Sequence, residues 1–141
     1  QNVEFRGGDK SYEMLLVALY CKQLIQMHIY DVNLRVAFGD LLWSSPDIQE
    51  IVLQNVSCES EHLLIGTKLT KLHTLKLVDT HHDLIFLKRL FTGCPSLKTL
   101  VLDNTFIYDW PSLLRVCKRL KSLHSVIEKE SDHISIPPLV N

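Results

Sequence analysis

Any chemistry in this chain would fall to its thiols and imidazoles, four cysteines and seven histidines in 141 residues. Cys94 heads the stretch GCPSLKTLVLDNT, residues 93–105, where it could be a reactive thiol or a metal ligand beside a strand. Zinc needs a spaced set of Cys and His, and the chain has neither a C-x-x-C nor any other suitable spacing. His81-His82-Asp83 could in principle make a base or a metal site. It falls between a strand and a helix, however, where Asp83 reads as a first-turn acid favourable to the helix dipole and the histidines as loop residues. Gly7-Gly8 reads as a turn and not as a phosphate loop. The expectation is a chain with no catalytic residue, no metal and no cofactor.

The elements that position these residues follow from a repeat. In LKTLVL, Leu97, Leu100 and Leu102 stand three and then two residues apart. The same pattern occurs as Leu72, Leu75, Leu77, as Ile48, Ile51, Leu53 and as Leu24, Met27, Ile29. Val3 and Phe5 fill its last two slots at the front, and Leu120 and Leu123 its first two at the back. The middle slot therefore runs Val3, Met27, Ile51, Leu75, Leu100, Leu123, with spacings of 24, 24, 24, 25 and 23. Each copy alternates apolar and variable residues, as a strand with one buried face does. Helical spacing fills the intervals at 12–20, 34–43, 62–65, 83–92 and 110–117. Asp9 and Ser11 read as N-caps of the first helix, and Asp31 and Asn33 precede the second. Strand, turn, helix and turn, recurring about every 24 residues, imply a parallel sheet backed by helices on one side.

The cysteines now lose their chemical appearance. Cys21, Cys94 and Cys117 each lie three residues before the first apolar slot of a strand and share one place in the repeat, which Ser45 and Leu69 fill in other copies. Cys21 and Cys94 are three repeats apart, too far for a disulfide. Cys94 and Cys117 are neighbours that geometry does not forbid to bond, but small buried thiols are the preferred reading. Cys58 stands apart in a turn. His28 and His124 fall in different repeats and are too far apart to share a ligand.

These segments, L-x-x-L-x-L with a following turn, resemble leucine-rich repeats from Val3 to about Ser125. The resemblance implies an α/β solenoid of about six parallel strands lining the concave face, with helices on the convex face. Secreted members carry N-x-L-x-x-L-P and disulfide-rich caps; here the Asn slot reads Gly8, Val32, Val56, Thr80 and Thr105 and no L-P follows, so an intracellular member, in cytoplasm or nucleus, is implied. The phrase C-x-x-L-x-x-L-x-L is similar to the cysteine-containing repeats of F-box-type ubiquitin-ligase substrate receptors. Those repeats run longer and carry a second cysteine after the strand, and no F-box or cullin-box segment is visible.

Repeat register also sorts the face opposite the core into three rows. One holds Asn2, Gln26, Glu50, Thr74, Thr99 and Ser122; the next Glu4, His28, Val52, Lys76, Val101 and His124; the third Arg6, Tyr30, Gln54, Val78 and Asp103. The candidate binding residues are Gln26, His28, Tyr30, Glu50, Val52, Gln54, Lys76, Val78, Val101 and Asp103. The rows mix both charges around a modest apolar centre, which suits a protein or peptide partner. A basic stripe with interleaved aromatics is absent and the net charge is −1, so nucleic acid is not the expected partner. A further column, Asp31, Asn55, Asp79 and Asn104, reads as turn residues in preference to an acidic ridge for a cation or basic peptide.

Composition sets the remaining bounds. The chain is 46% hydrophobic, yet its longest apolar run, residues 14–21, is far short of the roughly 20 residues of a membrane span. No signal-peptide pattern opens the chain, and a start on Gln1 reads as a piece of a longer protein. Residues 1–125 are read as the repeat domain and 126–141 as a tail, whose apolar ISIPPLV could cap the array, lead into another domain or dock elsewhere. The first strand calls for a cap, another domain or another chain packed against that end. The leading expectation is a non-catalytic protein-interaction module, with the substrate-recognition repeats of a ubiquitin-ligase receptor as its specific form. A structural scaffold subunit is the alternative, and an RNA-binding adaptor is third.

Overall fold

A computed structural model describes residues 1–58, 68–80, 92–105, 115 and 122–126, with 58 and 122–126 described by their backbone. The elements in chain order are β1 (Asn2–Gly8), α1 (Ser11–Tyr20), β2 (Gln26–Leu34), α2 (Val36–Trp43), β3 (Glu50–Gln54), β4 (Ser57–Cys58), β5 (Thr74–Val78), β6 (Thr99–Asp103) and β7 (Ser122–Val126). The architecture is α/β, an open parallel sheet with two helices among the described residues. Strand order is β1-β2-β3-β5-β6-β7, with β4 pairing β2 off that path.

The register is the one the apolar spacing predicts. Val3 pairs Met27, Met27 pairs Ile51, Ile51 pairs Leu75, Leu75 pairs Leu100 and Leu100 pairs Leu123. A one-residue slip would turn every apolar side chain outward, so burial of one face fixes the pairing. Met27, Ile29, Ile51, Leu53, Leu75, Leu77, Leu100 and Leu102 are at most 1% exposed. The same core takes Met14 from α1 and Ala37, Phe38, Leu41 and Leu42 from α2, so both helices cover the inward face.

The approach to each strand repeats as well. The N–H groups of Ile48, Leu72 and Leu97 donate to the carbonyls of Ser45, Leu69 and Cys94 at 3.3, 3.3 and 3.2 Å. The slot shared by cysteine, serine and leucine is therefore the first residue of a tight turn, and Ser45, Leu69 and Cys94 are all buried there. Cys21, in the same slot, is half-buried.

Several local expectations need correction. Ser11 is the first residue of α1 and not its cap: its backbone N–H donates to Asp9 Oδ1 at 2.9 Å. The Ser11 side-chain bond, and after it this backbone bond, hold the Asp9 carboxyl below the usual aspartate range, and Arg35 adds to the effect. The second helix starts at Val36 because β2 runs on to Leu34, so Asp31 and Asn33 belong to a strand and cap nothing. Asn33 and Leu34 pair with Ser57 and Cys58, which places Cys58 in a short strand and not in a turn. Gly7 and Gly8 close β1. The helices read at 62–65, 83–92 and 110–117, Cys117, the histidines at 81 and 82 and the tail lie largely or wholly outside the described residues.

Candidate functional site

Strand pairing lines up the outward residues into rows that cross the sheet. One row is Asn2, Gln26, Glu50, Thr74 and Thr99; the second is Glu4, His28, Val52, Lys76 and Val101; the third is Arg6, Tyr30, Gln54, Val78 and Asp103. All ten candidate residues thus share one face, at neighbouring positions about 4.8 Å apart along each row. Val52 is buried among its neighbours, whereas the other nine are half-buried.

The first three strands tie their long side chains together. Arg6 Nε donates to Glu4 Oε2 at 2.9 Å and its Nη2 to Oε1 at 3.2 Å, a two-pronged bond within one strand. This bond holds the Glu4 carboxyl below its ordinary range and raises the Arg6 guanidinium. The same guanidinium lies 4.1 Å from the centroid of the Tyr30 ring, a cation–π contact across the β1–β2 pair. Tyr30 meets His28 edge-on, with ring centroids 6.3 Å apart. His28 Nε2 stands 3.2 Å from Glu50 Oε2; a carboxylate can only accept, so Nε2 carries the proton. Glu4, Arg6, Tyr30, His28 and Glu50 therefore form one connected polar and aromatic patch. Sequence register places Glu4 and Arg6 in the rows beside His28 and Tyr30, but it does not show that Arg6 meets the Tyr30 ring. The signal was the pairing of Arg6 with Tyr30 in adjacent copies.

The patch offers an aromatic surface, one guanidinium and two carboxylates, while Lys76, Val78, Val101 and Asp103 continue the rows with a mixed apolar and charged character. Among the described residues no group of three or more His, Cys, Asp and Glu is placed to hold a metal ion, and no helix is long and apolar enough to cross a membrane.

At the rim, the Asp/Asn column has a backbone origin. Asp31, Asn55, Asp79 and Asn104 have φ of 56°, 50°, 47° and 46°. Asn and Asp tolerate this left-handed region better than other residues with a Cβ. In the corresponding place of β1 stands Gly7, with φ 72°. The side chains bond between copies: Asn55 Nδ2 donates to Asp31 Oδ1, and Asn104 Nδ2 to Asp79 Oδ1, both at 2.8 Å. The main chain continues its ladder here, with Asn55 N–H donating to Val78 O at 2.8 Å and Asp79 N–H to Asp103 O at 2.9 Å. The following residue turns inward. Val32, Val56, Thr80 and Thr105 are buried, and the two threonine hydroxyls lie within hydrogen-bonding distance of strand carbonyls. An open groove of about 480 Å³ runs beside the ridge, lined by Asp31, Asn33, Asn55, Ser57 and Asp79 among others.

Comparison with protein-family models, with curated proteins and with solved structures finds no match for this chain.

Proposed function

We propose that the chain is a non-catalytic protein-interaction module of leucine-rich-repeat type. Its outward sheet face, the concave side in such an array, takes a protein or peptide partner. The observation that carries this reading is the three in-register rows, which gather Gln26, His28, Tyr30, Glu50, Gln54, Lys76, Val78, Val101 and Asp103 on one face. A guanidinium-backed tyrosine with carboxylates at its margin is the kind of anchor that interfaces favour, since aromatic residues and arginine dominate binding energy where they are desolvated. The spacing of about 24 residues and the recurring turn before each strand support the repeat assignment. The shared slot of Cys21 and Cys94 supports the narrower reading as substrate-recognition repeats of a ubiquitin-ligase receptor, inside the cell.

The test is a variant carrying Glu50→Lys, Lys76→Glu and Tyr30→Ala. Capture of the partner should fall by at least about tenfold, as loss of a central aromatic commonly does, with the circular dichroism spectrum unchanged. Undiminished capture would remove the binding site from this face.

A scaffold role is the second reading, favoured by the apolar residues that α1 and α2 expose on the opposite side of the molecule.

A further inference from the structure

The outward face divides into two halves by what its charged groups already hold. On β1, β2 and β3 the charged side chains bond to one another, Arg6 to Glu4 and His28 to Glu50. On β5 and β6 the one outward cation is Lys76, and among the described residues it takes part in no ion pair or hydrogen bond. β3, β5 and β6 each have a paired strand on both sides, so this half lies inside the sheet.

Register sets Lys76 among valines. Val52 and Val101 are its cross-strand partners, and Val78 stands two residues further along β5. Val52 is buried, while Val78, Val101 and Lys76 are half-buried. The three valines are the apolar part of this half, so a partner that gains affinity by covering them covers Lys76 as well. An ammonium taken out of water without a counter-charge opposes binding, whereas one met by an anion does not. Two carboxylates of the fold stand at diagonal positions, Glu50 and Asp103, about 7–8 Å away. Glu50 is engaged by His28, and no ion pair joins Asp103 to Lys76. The counter-charge is left to the partner.

The number of cations says which anion. Every position next to Lys76, direct or diagonal, holds valine, threonine, glutamine, glutamate or aspartate, so a single ammonium is available. A phosphoryl group carries nearly two charges and is held by clusters of arginine. A carboxylate carries one, which one lysine balances. We infer, resting on the reading of this face as a binding surface, that its β3–β5–β6 half takes a segment of a protein partner in which an Asp or Glu flanked by apolar residues meets Lys76. Lys76 selects the charge, and Val52, Val78 and Val101 bury the flanking side chains.

Selection of a random dodecapeptide library on the immobilised 141-residue chain tests the assignment. The peptides recovered should carry Asp or Glu beside apolar residues. In a synthetic copy of the strongest binder, replacing the acidic residue by its amide should weaken binding at least about tenfold, as loss of one member of a covered charge pair does. Lys76→Met keeps the stem and loses the charge; it should cost about as much, and should cost the amide peptide nothing further. Selection on Lys76→Glu should instead recover Lys or Arg at the acidic position. Asp103→Asn should leave binding equal or tighter. Circular dichroism confirms folding of each variant.

A library that yields no binder, or binders without acidic residues, overturns the inference. So does tighter binding of a phosphoserine peptide, or weaker binding to Asp103→Asn, which would place the counter-charge within the fold. Binding that Lys76→Met leaves intact but the combined Glu50→Lys, Lys76→Glu and Tyr30→Ala variant loses overturns this inference and leaves the face as the binding site. Binding that survives the combined variant overturns both.

Discussion

The turn ridge and the outward sheet face occupy adjacent places in the same repeat, one residue apart, yet they obey opposite rules. Along the ridge the residue type holds: Asp31, Asn55, Asp79 and Asn104 share one left-handed backbone conformation within ten degrees of φ. One position earlier, the row Tyr30, Gln54, Val78 and Asp103 changes chemical class at every step. The ridge must satisfy the main chain, because only a few residue types accept positive φ without strain. The outward side chains meet one another, as in the Arg6–Glu4 and His28–Glu50 contacts, and no main-chain conformation fixes their type. Under the proposed function, the residues whose type the repeat leaves open are the ones that meet the partner.

Substitutions can break or sharpen this contrast. The largest effect belongs to the inward slots: Leu77→Ala, at a fully buried position, should cost about 2–5 kcal/mol, read as a fall in the urea midpoint. On the ridge, Asn55→Ala should cost about 1–2 kcal/mol through the left-handed backbone alone, and the lost bond to Asp31 deepens the loss. Asn55→Gly should cost less than Asn55→Ala; equal losses would mean that the side-chain bond, and not φ, sets the residue. At the turn before β3, Ser45 Oγ is buried with no hydrogen-bond partner among the described residues. Ser45→Cys, the residue the same slot holds at Cys94, should therefore raise stability by about 1 kcal/mol, seen as a higher melting temperature. On the outward face, Gln54→Ala should shift stability by less than about 0.5 kcal/mol; a larger loss would show that the fold constrains this row after all.

The smallest effect is in pH. Asp9 and Glu4 have folded-state pKa values below their ordinary ones, through bonds from Ser11 and Arg6 respectively. A depressed carboxyl contributes stability that is present above its unfolded pKa and lost as pH falls through the folded value. Stability should thus decline slightly on acidification below the ordinary carboxylate range, and Asp9→Asn should flatten that decline in urea titrations at successive pH values.

Much of the outward face is legible in the sequence. Spacing of the apolar slots predicts which residues pair, and through them which outward residues share a row; Val3, Met27, Ile51, Leu75, Leu100 and Leu123 line up accordingly. The signal is strong because burial of a single sheet face admits one register. Helix starts were poorly legible. Asp31 and Asn33 look like caps in sequence, and Asn33 serves instead in a strand pairing with Ser57 that depends on residues 24 positions away. Contacts between side chains were not legible either. Arg6 lies in register with Tyr30 from the sequence, but its place over the ring and its bond back to Glu4 depend on side-chain conformation.

The sequence by itself determined the repeat, the strand register, the division of inward from outward residues and the structural role of the cysteine slot. Each follows from a local pattern repeated at a fixed period. Only the tertiary structure decided that the Asp/Asn ridge bonds copy to copy, that the polar residues of three strands join in one patch around Tyr30, and that α1 keeps an apolar face in water. Those outcomes depend on which side chains meet across neighbouring strands and on what is packed against each helix. A period in sequence fixes the backbone ladder; it does not say which surfaces the packing leaves uncovered.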